Sequence, residues 1–325
     1  MPSEQHHAAS SQRVGRAGVA RREFIKAAFA VPLGLVAGSV GAPARAQGAP
    51  RQKQTLPQIP FGPYSISRLV LGGNPQHGNS HMSFMINHAM REYFTPERVQ
   101  WLLRHAEEQG INVWQSSKAA IDDYKKYRDA GGKMYYIALE KDAAEIAGLV
   151  AKGAIAIAHH GEVTDRLFKA GNIDQVQDFL KRVRDAGVLV GVSTHIPQVI
   201  EYIEEKGWDV DFYMACVYQR HRTREELRKM LGEAPIPIGE VYLERDPERM
   251  CRVIRQTRRT CLAFKILAAG RLCNRKADVD EAFRFVFANI KATDGVIVGM
   301  YPRYSDQVAE NCALVRKYSH LSKPV

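Results

Sequence analysis

The stretch that decides the fold runs from Ile155-Ala156-Ile157-Ala158 to Leu189-Val190-Gly191-Val192. Each of these tetrapeptides is short and apolar, as expected of a buried strand. The amphipathic residues 173–186 lie between them, bracketed by Asn172 as a start signal and Gly187 as a stop signal. The stretch therefore predicts a strand, a helix and a second strand, which is the repeating unit of a parallel α/β fold.

The same alternation continues on both sides of this unit. From Ile66 onward, short β-branched runs alternate with amphipathic segments. Eight such strands in about 250 residues match a (β/α)₈ barrel, the TIM barrel, with a doubly wound open sheet as the alternative. The predicted strands are residues 67–71, 111–115, 134–139, 155–158, 189–192, 212–217, 261–265 and 296–298.

Residues 1–46 differ in character from the rest. Arg21-Arg22-Glu23-Phe24-Ile25-Lys26 precedes a mildly apolar run at 27–40, and Ala44-Arg45-Ala46 follows. This order resembles a twin-arginine export signal with a small-x-small cleavage site, so the mature chain is expected to begin at Gln47. The resemblance implies the twin-arginine export machinery as a partner and a periplasmic or secreted location. It also implies that any cofactor or metal is bound before export.

Composition narrows the function classes for the mature chain. Beyond the leader there are 40 Lys and Arg against 33 Asp and Glu, a net charge of +7, with no basic block interleaved with aromatics. A nucleic-acid partner is therefore not expected. No later segment has the roughly 18 apolar residues that a membrane helix needs, so no membrane span is expected. Residues 47–65, rich in Gln and Pro, are expected to form an extended arm, and residues 66–325 the barrel.

Titratable side chains follow several of the predicted strands. In a barrel these positions converge on one face, where the active sites of such enzymes lie. Neutral imidazoles from different strand ends, with a carboxylate oxygen, can hold a divalent metal ion. The alternative for each histidine is an ordinary hydrogen-bonded loop or core residue. The predicted ligands are His77, His81, His160, His195 and Glu140, with Glu162 as a further oxygen donor.

Lys265 ends the seventh predicted strand, between Phe264 and Ile266. Burial there lowers the pKa of a lysine, which suits a proton carrier or an amine that forms an imine. The alternative is a lysine whose ammonium group reaches solvent at the barrel mouth. Lys265 is therefore a candidate catalytic residue.

Four segments, in order, resemble the aldo-keto reductase family. The sequence SRLVLGG at 67–73 is similar to that family's first strand and glycine turn. The sequence IAIAHH at 155–160 is similar to its fourth strand, which ends in the catalytic histidine. Residues 296–300 and 305–311 are similar to the eighth strand and to the helix whose start holds the cofactor phosphate. The resemblance covers most of residues 66–318 and implies a TIM barrel, an NADP cofactor and a small-molecule substrate.

The resemblance also implies which residues bind the cofactor. Ser305 can cap a helix whose free N–H groups attract a phosphate, and Arg303 lies close enough to add a charged contact. A Glu-Asn pair is expected near the adenine. The residues assigned to cofactor binding are Gly299, Arg303, Ser305, Glu310 and Asn311.

The family's catalytic set is matched only in part. His160 matches the family's histidine and Tyr124 could supply its phenol, but Gln115 stands in the region of the aspartate and Leu139-Glu140 in that of the lysine. Without that Asp-Lys pair the tyrosine pKa is not lowered, so a different acid–base set is needed. The predicted catalytic set is His160, Tyr124, Lys265 and His195.

Two classes of enzyme follow from these observations. The main prediction is an exported oxidoreductase of the aldo-keto reductase type that acts on a small hydroxylated or carbonyl, sugar-like substrate. The alternative is a metal-dependent non-redox lyase, isomerase or hydrolase for a carbohydrate-like substrate, in which the strand-end histidines hold the metal. A binding protein on an inactive enzyme scaffold is the third possibility.

Overall fold

Eight parallel strands close into a barrel, which confirms the predicted fold class. The computed structural model describes residues 55–236, 240–322 and 324, so the predicted export signal lies outside the described residues. Each barrel strand pairs with the next one along the chain, and the last pairs with the first. The strands are β1 Gln58–Phe61, β2 Tyr64–Ser67, β3 Leu69–Gly72, β4 Val113–Ser117, β5 Tyr135–Glu140, β6 Ala154–His159, β7 Leu189–Thr194, β8 Phe212–Cys216, β9 Thr260–Phe264 and β10 Gly295–Gly299.

Helices surround the barrel, and α2 and α8 each begin at a threonine that caps the helix. Thr95 accepts a hydrogen bond from the Arg98 N–H, and Thr223 forms a capping box with Glu226. Among the described residues, no helix combines the length and the apolar character needed to cross a membrane. The helices are α1 Phe84–Tyr93, α2 Pro96–Glu108, α3 Ile121–Asp129, α4 Ile146–Ala151, α5 Gly161–Lys169, α6 Gln175–Asp185, α7 Pro197–Glu205, α8 Arg224–Leu231, α9 Asp246–Gln256, α10 Lys276–Asn289 and α11 Gln307–Tyr318.

The N-terminal end of the barrel is closed by apolar packing. Strand β1 lies in the predicted arm, residues 47–65, and pairs as an antiparallel hairpin with β2, which runs from the arm into the predicted barrel. Its Phe61 ring meets Phe212 edge to face, with ring centroids 4.9 Å apart. Both rings belong to a buried cluster with side chains of the barrel interior such as Val113 and Ile137. This closure leaves the opposite end, at the carboxyl ends of the strands, as the place for a ligand.

A buried ion cluster, here called the floor cluster, also lies at the N-terminal end. It consists of Arg68, Lys291 and Asp294, each at most 4% exposed. Arg68 donates hydrogen bonds to the carbonyl oxygens of Asp294, Ser319 and Lys291. Lys291 Nζ lies 3.0 Å from Asp294 Oδ1 and donates to the Ile254 carbonyl. These contacts tie the starts of β3 and β10 to the helices around them.

Candidate functional site

Side chains at the carboxyl ends of the strands converge on the barrel mouth. His160 directly follows β6, and His195 directly follows β7. Helix α5 begins at Gly161 without an intervening loop, and a Cβ there would lie 2.8 Å from Ser193 Oγ and 3.2 Å from His195 Cε1. Glycine at this position therefore lets the start of α5 approach the end of β7.

Asp165, His195 and His221 form a compact group at this end, here called the Asp165 cluster. Their potential ligand atoms all lie within 4.8 Å of one another. Asp165 is fully buried on α5 and accepts hydrogen bonds from Thr194 Oγ1 at 2.5 Å and from His195 Nδ1 at 2.7 Å. His221 Nε2 lies 3.8 Å from Asp165 Oδ2. One carboxylate oxygen thus faces both imidazole rings.

The imidazoles of the mouth are held in their neutral form. Burial, followed by the nearby charges of Lys265 and Arg220, lowers the pKa of His195 well below its usual value. Burial and then Arg220 lower the pKa of His221, and burial lowers that of His160. A neutral imidazole has a free nitrogen lone pair, which is the form that binds a metal or accepts a proton.

Two ring nitrogens at the mouth lack partners within the described part of the chain. His160 Nδ1 and His221 Nε2 are buried atoms without a hydrogen bond there. A buried polar atom without a partner carries a free-energy cost of about 1–3 kcal/mol, so native proteins keep few of them. Such atoms at a barrel mouth indicate positions that a ligand completes.

A second group, here called the Glu240 cluster, lies beside the first. Glu240 accepts hydrogen bonds from His81 Nδ1 at 2.9 Å and Lys265 Nζ at 3.1 Å, and its other contacts are Arg220 Nε at 2.7 Å and the Tyr242 hydroxyl. Burial opposes ionisation of Glu240, but the hydrogen bond from His81 and the charge of Lys265 hold its pKa well below the usual range. Glu240 is therefore an ionised carboxylate that pairs with the Lys265 ammonium group and the Arg220 guanidinium group at the mouth.

The Glu240 cluster borders a cleft of ≈ 260 Å³ that opens between the ends of β3, β9 and β10. Its polar lining includes Asn74, Gln115, His81 and Lys265, and Phe264 and Tyr301 supply aromatic surface. Phe264 also contacts the His195 ring, with centroids 5.4 Å apart, which links the cleft to the Asp165 cluster. A small polar molecule fits this combination of amides, charge and aromatic faces.

The structure does not bring the predicted metal ligands together as one set. Of those residues, His195 lies in the Asp165 cluster, whereas His81 binds Glu240 and His77 lies 3.3 Å from Ser116 Oγ. The Glu140 carboxylate accepts the backbone N–H groups of Lys141 and Asp142, and Glu140 alternates along β5 with Ile137 and Leu139, which pack in the barrel interior. The metal candidate instead includes Asp165 and His221.

Tyr124 lies away from the mouth. Its hydroxyl donates to the carbonyl of Met134, just before β5 begins, and its ring stacks on Tyr136 outside the barrel. Burial raises its pKa above the usual value. The phenol therefore lies toward the opposite end of β5 from His160 and Lys265.

The residues predicted to bind the cofactor have hydrogen bonds or packing contacts within the protein itself. Helix α11 is capped by the carboxylate of Asp306, which accepts the Ala309 N–H and also meets His105 Nε2 at 3.0 Å. A phosphate at this helix start would meet that negative charge. Ser305 Oγ donates to Glu310 Oε2, and the Arg303 guanidinium lies over the Tyr304 ring.

The other two residues of that set also have contacts within the fold. Gly299 packs close to Pro75, whose Cδ would lie 2.8 Å from a Cβ at that position. Asn311 is buried in α11. The geometry gives no support for NADP.

The sequence matches no known protein-family model. It also matches no curated protein. One solved structure similar to the chain is a truncated 3-deoxy-D-arabino-heptulosonate 7-phosphate synthase from Thermotoga maritima, at 14% identity and a TM-score of 0.47, covering 82% of this chain and 92% of that one. Another is the aldolase QR15, at 13% identity and a TM-score of 0.40, covering 69% of this chain and 89% of that one. At these values the similarity does not identify a substrate, and the chemistry of the site depends on its own residues.

The prediction of an oxidoreductase of the aldo-keto reductase type is wrong. Within this chain the reason is geometric: Tyr124 is far from the mouth, and the helix expected to hold the cofactor phosphate is capped by Asp306.

Proposed function

We propose that the protein is a metal-dependent enzyme of non-redox type, a lyase, isomerase or hydrolase that acts on a small hydroxylated or carbonyl-containing, sugar-like substrate. The Asp165 cluster is the observation that carries this proposal. It offers two imidazoles and one carboxylate from three different segments, at the end of the barrel where active sites lie. A set of two nitrogens and one oxygen suits Zn²⁺ or a similar divalent ion with a coordination position left for substrate.

The state of the cluster fits a cation. His221 Nε2 is buried and, among the described residues, unpartnered, and Asp165 Oδ2 faces both rings. The 2.7 Å distance between Asp165 Oδ2 and His195 Nδ1 is that of a hydrogen bond. A cation bound to both atoms would take the place of that proton, and the neutral imidazole would then carry its one ring proton on Nε2.

The surrounding residues supply the other parts of such a reaction. A divalent ion in the cluster polarises a substrate oxygen when it is bound. The free Nδ1 of His160 is a proton acceptor at the same end, and Lys265 and Arg220 present positive charge to oxygen-rich groups. The amides of Asn74 and Gln115 can hydrogen-bond hydroxyl groups in the cleft.

The test is metal content after purification and dialysis against Zn²⁺ or Mn²⁺, measured by elemental mass spectrometry. We expect one ion per chain in the wild type and loss of it in Asp165→Asn and His195→Gln, because each variant removes a ligand. His77→Gln is the matched control, since this histidine lies outside the cluster, and its ion should be retained. A wild type that binds neither ion, or equal loss in His77→Gln, would overturn the proposal.

We also propose that residues 1–46 direct export by the twin-arginine route and that residues 66–325 are the catalytic barrel. The order of Arg21, Arg22 and the Ala44-Arg45-Ala46 site supports this proposal. Replacement of both arginines by lysine should retain the full-length chain in the cytoplasmic fraction, detected by immunoblot. Unchanged export of that variant would contradict the assignment.

A further inference from the structure

Lys265 combines burial with an unusual backbone conformation. It directly follows β9 and has a φ of 59°, in the left-handed region that side-chain-bearing residues seldom adopt. Ala268 and Ala269, both at a φ of 50°, continue the unusual path of this loop. Such strained positions persist where the surrounding structure enforces them, and they cluster at functional sites. The loop places Lys265 on the wall of the cleft.

The surroundings of the Lys265 amine make it easier to deprotonate than the amine of an exposed lysine. Its side chain is only 6% exposed, between the half-buried Phe264 and the buried Ile266. Among the described residues its hydrogen bond is to Glu240 Oε2, whereas an ammonium group has three N–H donors to satisfy. Burial lowers the pKa of this amine below its usual value, against the opposing charge of Glu240.

The buried Lys291 of the floor cluster provides a contrast within the same chain. Lys291 Nζ has both the Asp294 carboxylate and the Ile254 carbonyl as partners, and its side chain is only 3% exposed. Among the described residues, Lys265 Nζ has Glu240 as its hydrogen-bond partner and lies 5.8 Å from the centroid of the Tyr242 ring, and it lines a cleft large enough for a small molecule. Of these two buried lysines, Lys265 is the one placed to react.

We propose that Lys265 Nζ forms an imine with the aldehyde or ketone group of a substrate bound in the cleft. The neutral amine adds to the carbonyl carbon while the carbonyl oxygen takes up a proton, which gives a carbinolamine. Loss of one water molecule then forms the C=N bond, so amine and carbonyl compound yield imine and water. The inference deepens the proposed function by restricting the substrate to compounds with a free carbonyl group.

Borohydride trapping tests the inference on the full chain. The protein is incubated with glyceraldehyde or pyruvate, reduced with sodium borohydride and digested for peptide mapping by mass spectrometry. We expect a stable adduct on Lys265 and loss of that adduct in Lys265→Arg, which keeps the positive charge beside Glu240 but cannot form the imine. Lys141→Arg is the matched control, because Lys141 is an exposed lysine at the same end of the barrel, and the Lys265 adduct should persist.

Two outcomes would overturn the inference: no adduct on Lys265 with either probe, or labelling of Lys265 no faster than that of exposed lysines. The peptide map of the wild type decides this even if Lys265→Arg fails to fold. Trapping is repeated after metal removal with a chelator, because the imine does not need the metal. An adduct on Lys265 in a protein that binds no metal would support the imine and contradict the proposed metal site. Metal binding without an adduct would support the metal site and contradict the imine.

Discussion

The two ends of the barrel each hold a group of titratable side chains, and the two groups differ in how completely their polar atoms are paired. In the floor cluster, Arg68 donates to three carbonyl oxygens and to Ser322 Oγ, and Asp294 also accepts the N–H groups of Cys261 and Lys291. In the Asp165 cluster, the carboxylate is well bonded, but His221 Nε2 has no hydrogen bond in the described part of the chain.

This difference in pairing distinguishes a cluster that stabilises the fold from one that can bind a ligand. A buried network in which every donor and acceptor is paired stabilises one arrangement of the chain, and nothing remains for a ligand to complete. A buried network with an unpaired atom lacks the stabilisation of that hydrogen bond. Such an atom is expected where a ligand supplies the missing bond. Arg68 illustrates the first case: burial lowers its pKa only to about 10, so it stays charged and paired at neutral pH.

The largest expected effect is at the floor cluster. Asp294→Asn removes the negative charge and leaves Lys291 and Arg68 buried without a carboxylate, so we expect the free energy of unfolding to fall by about 3–5 kcal/mol. Urea denaturation followed by circular dichroism measures this change. The double variant Lys291→Met/Asp294→Asn should lose less than the single one, because Lys291 no longer carries a buried unpaired charge and only that of Arg68 remains. A loss of less than about 1 kcal/mol in Asp294→Asn would show that the pair is not structural.

Most of the fold could be predicted because it depends on local periodicity. The predicted strand at 212–217 is observed as Phe212–Cys216, and that at 189–192 as Leu189–Thr194. Apolar runs with glycine, proline and capping residues between them mark strands and helices without knowledge of distant contacts. The hairpin that closes the barrel floor was not foreseen, since its pairing depends on contacts with residues far along the chain.

The site could be predicted only where a residue directly follows a strand. His195 and Lys265 were found by that rule. Asp165 was missed because it lies inside α5, where a single polar residue has the pattern of an exposed helix face. Glu240 was missed because it lies in an irregular segment that no periodicity describes. Tyr124 was chosen by family spacing, which does not report the direction of a side chain.

The smallest expected effect on stability is at His221, and it sharpens the contrast with Asp294. His221 has a φ of 64°, which asparagine tolerates better than most residues, and its Nε2 has no hydrogen bond to lose among the described residues. The remaining loss is the edge contact with the His195 ring, whose centroid lies 5.6 Å away. We therefore expect His221→Asn to change the free energy of unfolding by less than about 1 kcal/mol, measured by the same urea titration.

The same variant should lose the bound ion, because it removes one of three ligands. A loss of stability as large as that of Asp294→Asn, with the ion retained, would mean that His221 is a structural residue and that the mouth does not differ from the floor in kind.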